Sequence, residues 1–222
     1  MRKSITPSGL LAALLGALLA LAFSINLSHA ATAPNPMQQD PLQEGIRNFQ
    51  SANYKGAVAS WQPLAIKGNP VAQNNLGILY LDGKGVKQDT SEAVRYLSLS
   101  AASGSSLGQN NLGGLYREGK GVPRDYSKAS QWFTASAAQG NAAAMYNLGL
   151  MYELGQGMKA EPFHAYMWYA LAAEQKSVTN AAAHRDALWG RMTPAAQKQA
   201  KDMAAACKIL AYKSCRWNKF PT

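Results

Sequence analysis

One set of residues recurs along the chain at a spacing of 36, and that spacing constrains the fold more than any other feature. Leu76, Leu112 and Leu148 fall in step, as do Gly77, Gly113 and Gly149, and Tyr80, Tyr116 and Tyr152. Two glycine columns follow, Gly83, Gly119 and Gly155, then Gly85, Gly121 and Gly157. Ala93, Ala129 and Ala165 come next, then the aromatics Tyr96, Trp132 and Trp168, then Ala101, Ala137 and Ala173. Columns held in register over three copies mark a repeat architecture, whose units bury their apolar faces only against their neighbours.

Each column has a mechanical meaning. Leu76 and Tyr80 lie four apart, on one face of a helix, and Gly77 beside them lets a neighbouring helix come close. Gly83 stops that helix, and the turn Gly83-Lys84-Gly85-Val86 can use positive φ. Asp89 is placed to cap a second helix, with Glu92 three residues on in a capping-box arrangement. Ala93, Tyr96 and Ala101 form a small-large-small packing stripe. Gly104 ends the helix, and Ser105 caps the next one. The same pair recurs as Gly68-Asn69 and Gly140-Asn141, with Pro70 in the first turn of its helix.

These residues resemble the Sel-1-like repeat family, a branch of the tetratricopeptide helical repeats. The motif is Ala-x-x-x-Leu-Gly-x-x-Tyr-x-x-Gly-x-Gly-Val, then Asp, Ala, an aromatic, and Ala-Ala-x-x-Gly. The second copy carries Gly108 in place of the leading Ala; in the third, Met158 replaces Val and Glu161 replaces Asp. The resemblance implies an all-α, right-handed α-solenoid of about four antiparallel helix pairs. The first helices would line a concave face. Carried over position by position, the groove-facing residues are Asn74, Ile78 and Leu81, then Asn110, Gly114 and Arg117, then Tyr146, Leu150 and Glu153. Ile46 and Phe49 extend that line towards the N-terminus.

The expected units span 69–104, 105–140 and 141–176. Ahead of them, 42–68 keeps the helix-pair logic through Gly45, Asn53-Tyr54, Ala57 and Ala65, with a turn four residues shorter. After them, 177–222 holds closing helices, the last opened by Thr193-Pro194, and a basic tail. Residues 1–30 read as a secretory signal peptide: Arg2 and Lys3, an apolar run from Leu10 to Phe23, and small residues at Ser28 and Ala30. The alternative, an uncleaved anchor, needs a longer run of about 20 residues. Residues 31–41, rich in Pro, Asn and Gln, form a flexible lead-in. The expected location is periplasmic or secreted.

The only cysteines are Cys207 and Cys215. An oxidising compartment favours a disulfide between them; two free thiols or a metal pair are the alternatives. The formal charge is +10, concentrated after Arg185, where a basic tail can meet an acidic membrane, cell wall or protein surface. Export argues against nucleic acid.

No catalytic constellation stands above background. Two histidines follow the signal, His164 and His184, too few for varied nucleophilic arrangements. His184-Arg185-Asp186 reads as a surface cluster, since residues one and two apart on a helix do not face each other. Gly83-Lys84-Gly85 and Gly119-Lys120-Gly121 lack the spacing and the following Ser or Thr of a phosphate loop. No cofactor and no metal are expected, and the chain is not expected to be an enzyme. The expected function is an interaction scaffold or adaptor, holding a partner protein or peptide in the groove and regulating envelope signalling or secretion. Two alternatives stand beside it. One is the β-lactam binding or hydrolysis of cysteine-rich relatives, which carry a Cys pair in each repeat that this chain lacks. The other is a structural envelope protein whose tail contacts anionic lipid or cell wall.

Overall fold

A computed structural model describes residues 40–209 and residue 212. The expected signal peptide, nearly all of the lead-in, Cys215 and most of the basic tail lie outside the described residues. The unit beginning at Pro41 is all helical among those residues. Its helices are α1 (Pro41–Gln50), α2 (Tyr54–Ile66), α3 (Pro70–Asp82), α4 (Thr90–Ala102), α5 (Ser106–Glu118), α6 (Tyr126–Ala137), α7 (Ala142–Leu154), α8 (Pro162–Glu174), α9 (Ala181–Trp189) and α10 (Pro194–Ile209).

The chain pairs these helices in order, α1 with α2 through to α7 with α8, and each pair packs on the next. The result is an α-solenoid. α3 also touches α5 directly, so the first helices form its tighter face. α9 and α10 both close onto α8.

Local chemistry explains where the helices begin and end. Asn69, Asp89, Ser105, Asp125 and Asn141 each accept a hydrogen bond from a backbone N–H in the first turn of the helix that follows, which satisfies donors a helix cannot satisfy itself. The capping box at Asp89 is only half formed. Glu92 turns away to hold Arg95 through two bonds, of 3.0 and 2.7 Å, and the Asp89 N–H donates to Tyr80 O. Gly83 and Gly85 have φ of 66° and 74°, and Gly155 and Gly157 repeat this at 66° and 73°. Met158 and Glu161 therefore leave the third turn's backbone unchanged. What that repeat lacks is a cap, since Glu161 makes no side-chain bond to the helix start.

The packing column is Leu76, Leu112 and Leu148, all buried. A Cβ on Gly77, Gly113 or Gly149 would stand 2.6–2.8 Å from Leu97, Phe133 or Tyr169. That close approach is why the column is glycine. It also reveals a register shift from the sequence reading. In the second repeat Phe133 is fully buried and Trp132 only half-buried, because Phe133 lies one helical turn from Ala129 on the core side.

Candidate partner-binding groove

The first helices meet through side-chain amides as well as apolar packing. Arg117 Nη1 on α5 donates to Asn147 Oδ1 on α7 at 2.8 Å. Asn147 Nδ2 donates back to Asn110 Oδ1 on α5 at 2.9 Å. Asn110 donates to Asn111 at 3.4 Å, Asn111 to Asn74 on α3 at 2.8 Å, and Asn74 to Asn75 at 3.2 Å. The amides thus form one directed chain across three helices. Partnered amides are cheap to bury, so this chain makes a polar floor that also fixes how successive repeats stack.

That geometry corrects one expectation. Asn74 is buried in the floor, not facing an open groove. Asn110 and Arg117 are half-buried and engaged in the same chain. Sequence reasoning missed Asn75, Asn111 and Asn147, although they form a column at the same spacing of 36.

The remaining expected residues cluster at the two ends. At the N-terminal end, Ile46, Phe49 and Ile78 line a recess of about 320 Å³ together with Gln50, Trp61 and Asn75. Phe49 packs against Tyr54 and Trp61, with ring centroids 5.5 and 6.0 Å apart, and still leaves 37 % of its surface exposed. Leu81 is half-buried on the same helix as Ile78. In the middle, Gly114 stands where neighbouring repeats have Ile78 and Leu150, and a Cβ there would meet nothing within 4 Å. The floor is lowest at that point.

At the C-terminal end, Tyr146 and Glu153 gather around Tyr169 of α8 and His184 of α9, while Leu150 packs nearby with Tyr166 and Leu188. The Tyr169 hydroxyl donates to Glu153 Oε2 at 2.6 Å, and His184 Nδ1 lies 3.2 Å from the same oxygen. The three rings pack on one another with centroids 5.0–5.5 Å apart. Burial, and then the Glu153 carboxylate, push the Tyr169 hydroxyl pKa well above its ordinary value, so it stays a donor. The trio at 184–186 is split, as the helix geometry requires: Arg185 pairs with Asp186, and His184 turns to α7. His184 was not readable as a groove residue because α9 lies outside the repeats.

A second cavity, about 610 Å³, lies among α8, α9 and α10, lined by Tyr166, Trp189, Arg185, Lys201 and Lys208 among others. Cys207 of α10 is buried and disulfide-bonded; Cys215 lies outside the described residues. Among the described residues no group of three or more His, Cys, Asp or Glu converges as a metal site, and no helix is long and apolar enough to cross a membrane.

Residues 70–105, 106–141 and 142–177 each match the family model described as the Sel1 repeat. The chain is a Sel1-like repeat protein. Among solved structures it is similar to a Sel1 repeat protein from Oxalobacter formigenes, at 30 % identity and a TM-score of 0.57, covering 61 % of this chain and 54 % of that one. It is also similar to a protective antigen of uropathogenic Escherichia coli strains with an SLR fold, at 36 % identity and a TM-score of 0.55, covering 61 % of this chain and 30 % of that one. The chain therefore spans about half or less of the length of these relatives. No curated protein matches it. In Sel1 terms, the directed amide chain runs through all three matched repeats.

Proposed function

We propose that this Sel1-like protein is an exported scaffold that holds a segment of a partner protein along the face built by its first helices. Sel1 repeat proteins are generally protein-interaction scaffolds, and their fold is typically non-catalytic. The observation that carries the reading is the composition of that face. Its amides are spent on one another, so what it presents outward is the apolar recess at Ile46, Phe49 and Ile78, the low floor at Gly114, and the tyrosines, Glu153 and His184 beyond. An extended segment or helix with apolar anchors complements such a surface. The N-terminal basic, apolar and small-residue pattern supports passage to the periplasm or beyond, as does likeness to a protein described as an antigen. An adaptor or regulatory role in envelope signalling or secretion follows from that placement.

The rival reading, a basic tail bound to anionic lipid or cell wall, is weakened by how the described basic residues are used. Arg185 pairs with Asp186, Lys198 with Asp202, and Lys208 with Glu174.

In-cell photocrosslinking tests the groove. A photoreactive side chain at Leu81 or Gly114 is expected to capture a discrete partner, and one at Thr134, exposed on a second helix, is not. Equal capture at all three positions, or none at any, would refute the groove.

A further inference from the structure

The amide chain on the floor runs in one direction and stops one rung short. At each junction the second asparagine of one repeat donates to the first asparagine of the repeat before it: Asn147 to Asn110, and Asn111 to Asn74. Asn75 is the next donor in that series. Its Oδ1 accepts from Asn74, while its Nδ2 donates to no described residue. The reason lies in the preceding helix pair. Gly45 against Trp61 is the counterpart of Gly77 against Leu97, since a Cβ on either glycine would collide with that side chain. That alignment sets Ile46 with Ile78, Phe49 with Leu81, and Leu42 with Asn74. A leucine side chain has no oxygen, so the acceptor that Asn74 and Asn110 provide elsewhere is missing here. The recess of about 320 Å³ opens where the rung is absent, and Asn75 is one of its walls.

We propose that this recess binds an extended peptide segment of the partner, seating one bulky apolar side chain against Ile46, Phe49, Trp61 and Ile78 while a peptide carbonyl oxygen accepts the missing hydrogen bond from Asn75 Nδ2. The proposal rests on the groove reading above and names the chemistry of its occupant. Two observations select a peptide over a hydrocarbon. The interface between repeats continues directly into the recess, and what it lacks there is an amide oxygen. The walls also carry the Gln50 side-chain amide beside the apolar groups. The volume lies at the small end of ligand pockets, which suits one large side chain.

The test uses the purified protein and N-acetyl-phenylalanine methylamide, followed by the Asn75 side-chain NH₂ and the Ile46 and Ile78 methyl resonances. Saturable shifts at all three are expected. N-acetyl-alanine methylamide is expected to bind at least about tenfold more weakly, from lost apolar contact. Asn75→Asp keeps the oxygen that accepts from Asn74 and removes only the donor. It is expected to weaken the phenylalanine probe by about threefold to tenfold, with an unchanged melting temperature. Equal binding by Asn75→Asp, equal binding of the alanine probe, or no saturable binding overturns the proposal. Toluene binding as well as the peptide probe makes the recess a hydrocarbon site and overturns it too. Displacement of a self-associated second copy by the probe assigns the recess to the chain's own copies, with the same consequence. Crosslinking at Gly114 and Leu81 stays independent. Capture of a partner without probe binding sinks this proposal alone, and probe binding without capture sinks the wider groove reading alone.

Discussion

Gln73 in the first repeat and Gln109 in the second reach back to the last turn of the preceding helix, donating to Ala65 O at 3.1 Å and Ala101 O at 3.4 Å. The third repeat has Met145 at that position. Ser100 and Ser136 donate across their helix pairs to Pro70 O and Ser106 O at 2.7 and 2.6 Å; the third repeat has Ala172. Asp89 and Asp125 cap their helices, and Glu161 does not. Asn74 and Asn110 belong to the amide chain, and Tyr146 replaces them. Two repeats are therefore tied by polar bonds at positions where the third relies on packing. The neighbours explain why. The first two repeats stack on further helix pairs whose backbone offers acceptors at fixed positions. The third is closed by α9 and α10, and α8 is buried on nearly every side, from His164 through Tyr169. A helix surrounded in this way is stable only when apolar around most of its circumference, since a polar group without a partner there costs about 1–3 kcal/mol.

Breaking the core of either regime gives the largest effects. Leu112→Asp puts an unpaired charge into the polar-tied second repeat. It is expected to abolish cooperative unfolding, because the penalty approaches the 5–15 kcal/mol that holds a typical domain together. A circular dichroism melt checks it, and an almost unchanged transition removes Leu112 from the core. Next in size is Tyr169→Ala in the third repeat. It deletes a fully buried ring that supports Tyr146 and His184 and holds Glu153, and is expected to cost about 3–5 kcal/mol in urea unfolding. A cost below about 1 kcal/mol would mean that packing does not carry this repeat.

A reciprocal exchange sharpens the contrast. Ser136→Ala removes a buried hydroxyl and strands Ser106 O, for an expected loss of about 1–3 kcal/mol. Ala172→Ser restores that hydroxyl to the third repeat, where Ala142 O occupies the equivalent position. If the backbones match, the new bond offsets most of the desolvation, and the change is expected to stay within about 1 kcal/mol. A loss of 2 kcal/mol or more in urea unfolding would show that the third repeat has shifted its helices as well as its chemistry.

The repeat period made the fold legible. Leu76, Gly77, Gly83 and Asp89 each carry a local reason for their place, and three copies remove ambiguity about which helix each one serves. The groove was less legible, because a position facing the tight side of the stack can face either a ligand or the next repeat. Asn74 shows this: its column is correct, yet its side chain is consumed by Asn111, 37 residues on. The offset between 36 and 37 is a property of stacking, so no single repeat displays it. The Trp132 and Phe133 exchange came from two adjacent aromatics competing for one helical face. His184 had no repeat column to announce it.

The smallest expected effect is a pH dependence confined to the third repeat. His164 occupies the column of Glu92 and Lys128, which are half-buried and exposed. Here it is buried, facing Tyr152 and Phe163 with ring centroids 5.0 and 4.5 Å away and the Glu161 carboxylate beside it. Burial holds its pKa below the ordinary histidine value, although Glu161 pulls the other way. The sign follows from which state takes the proton first. As pH falls through about 6.5, the unfolded chain protonates His164 before the folded chain does, so the unfolded state gains and stability declines. The stability is complete above that pH and is lost progressively below it, until the folded state also binds the proton. His164→Gln is expected to flatten this decline between about pH 6.5 and 5, read from urea midpoints, while the loss at lower pH, where carboxylates titrate, stays. An identical slope in the two proteins would place the acid sensitivity outside α8. The third repeat would then differ from the others in its packing alone.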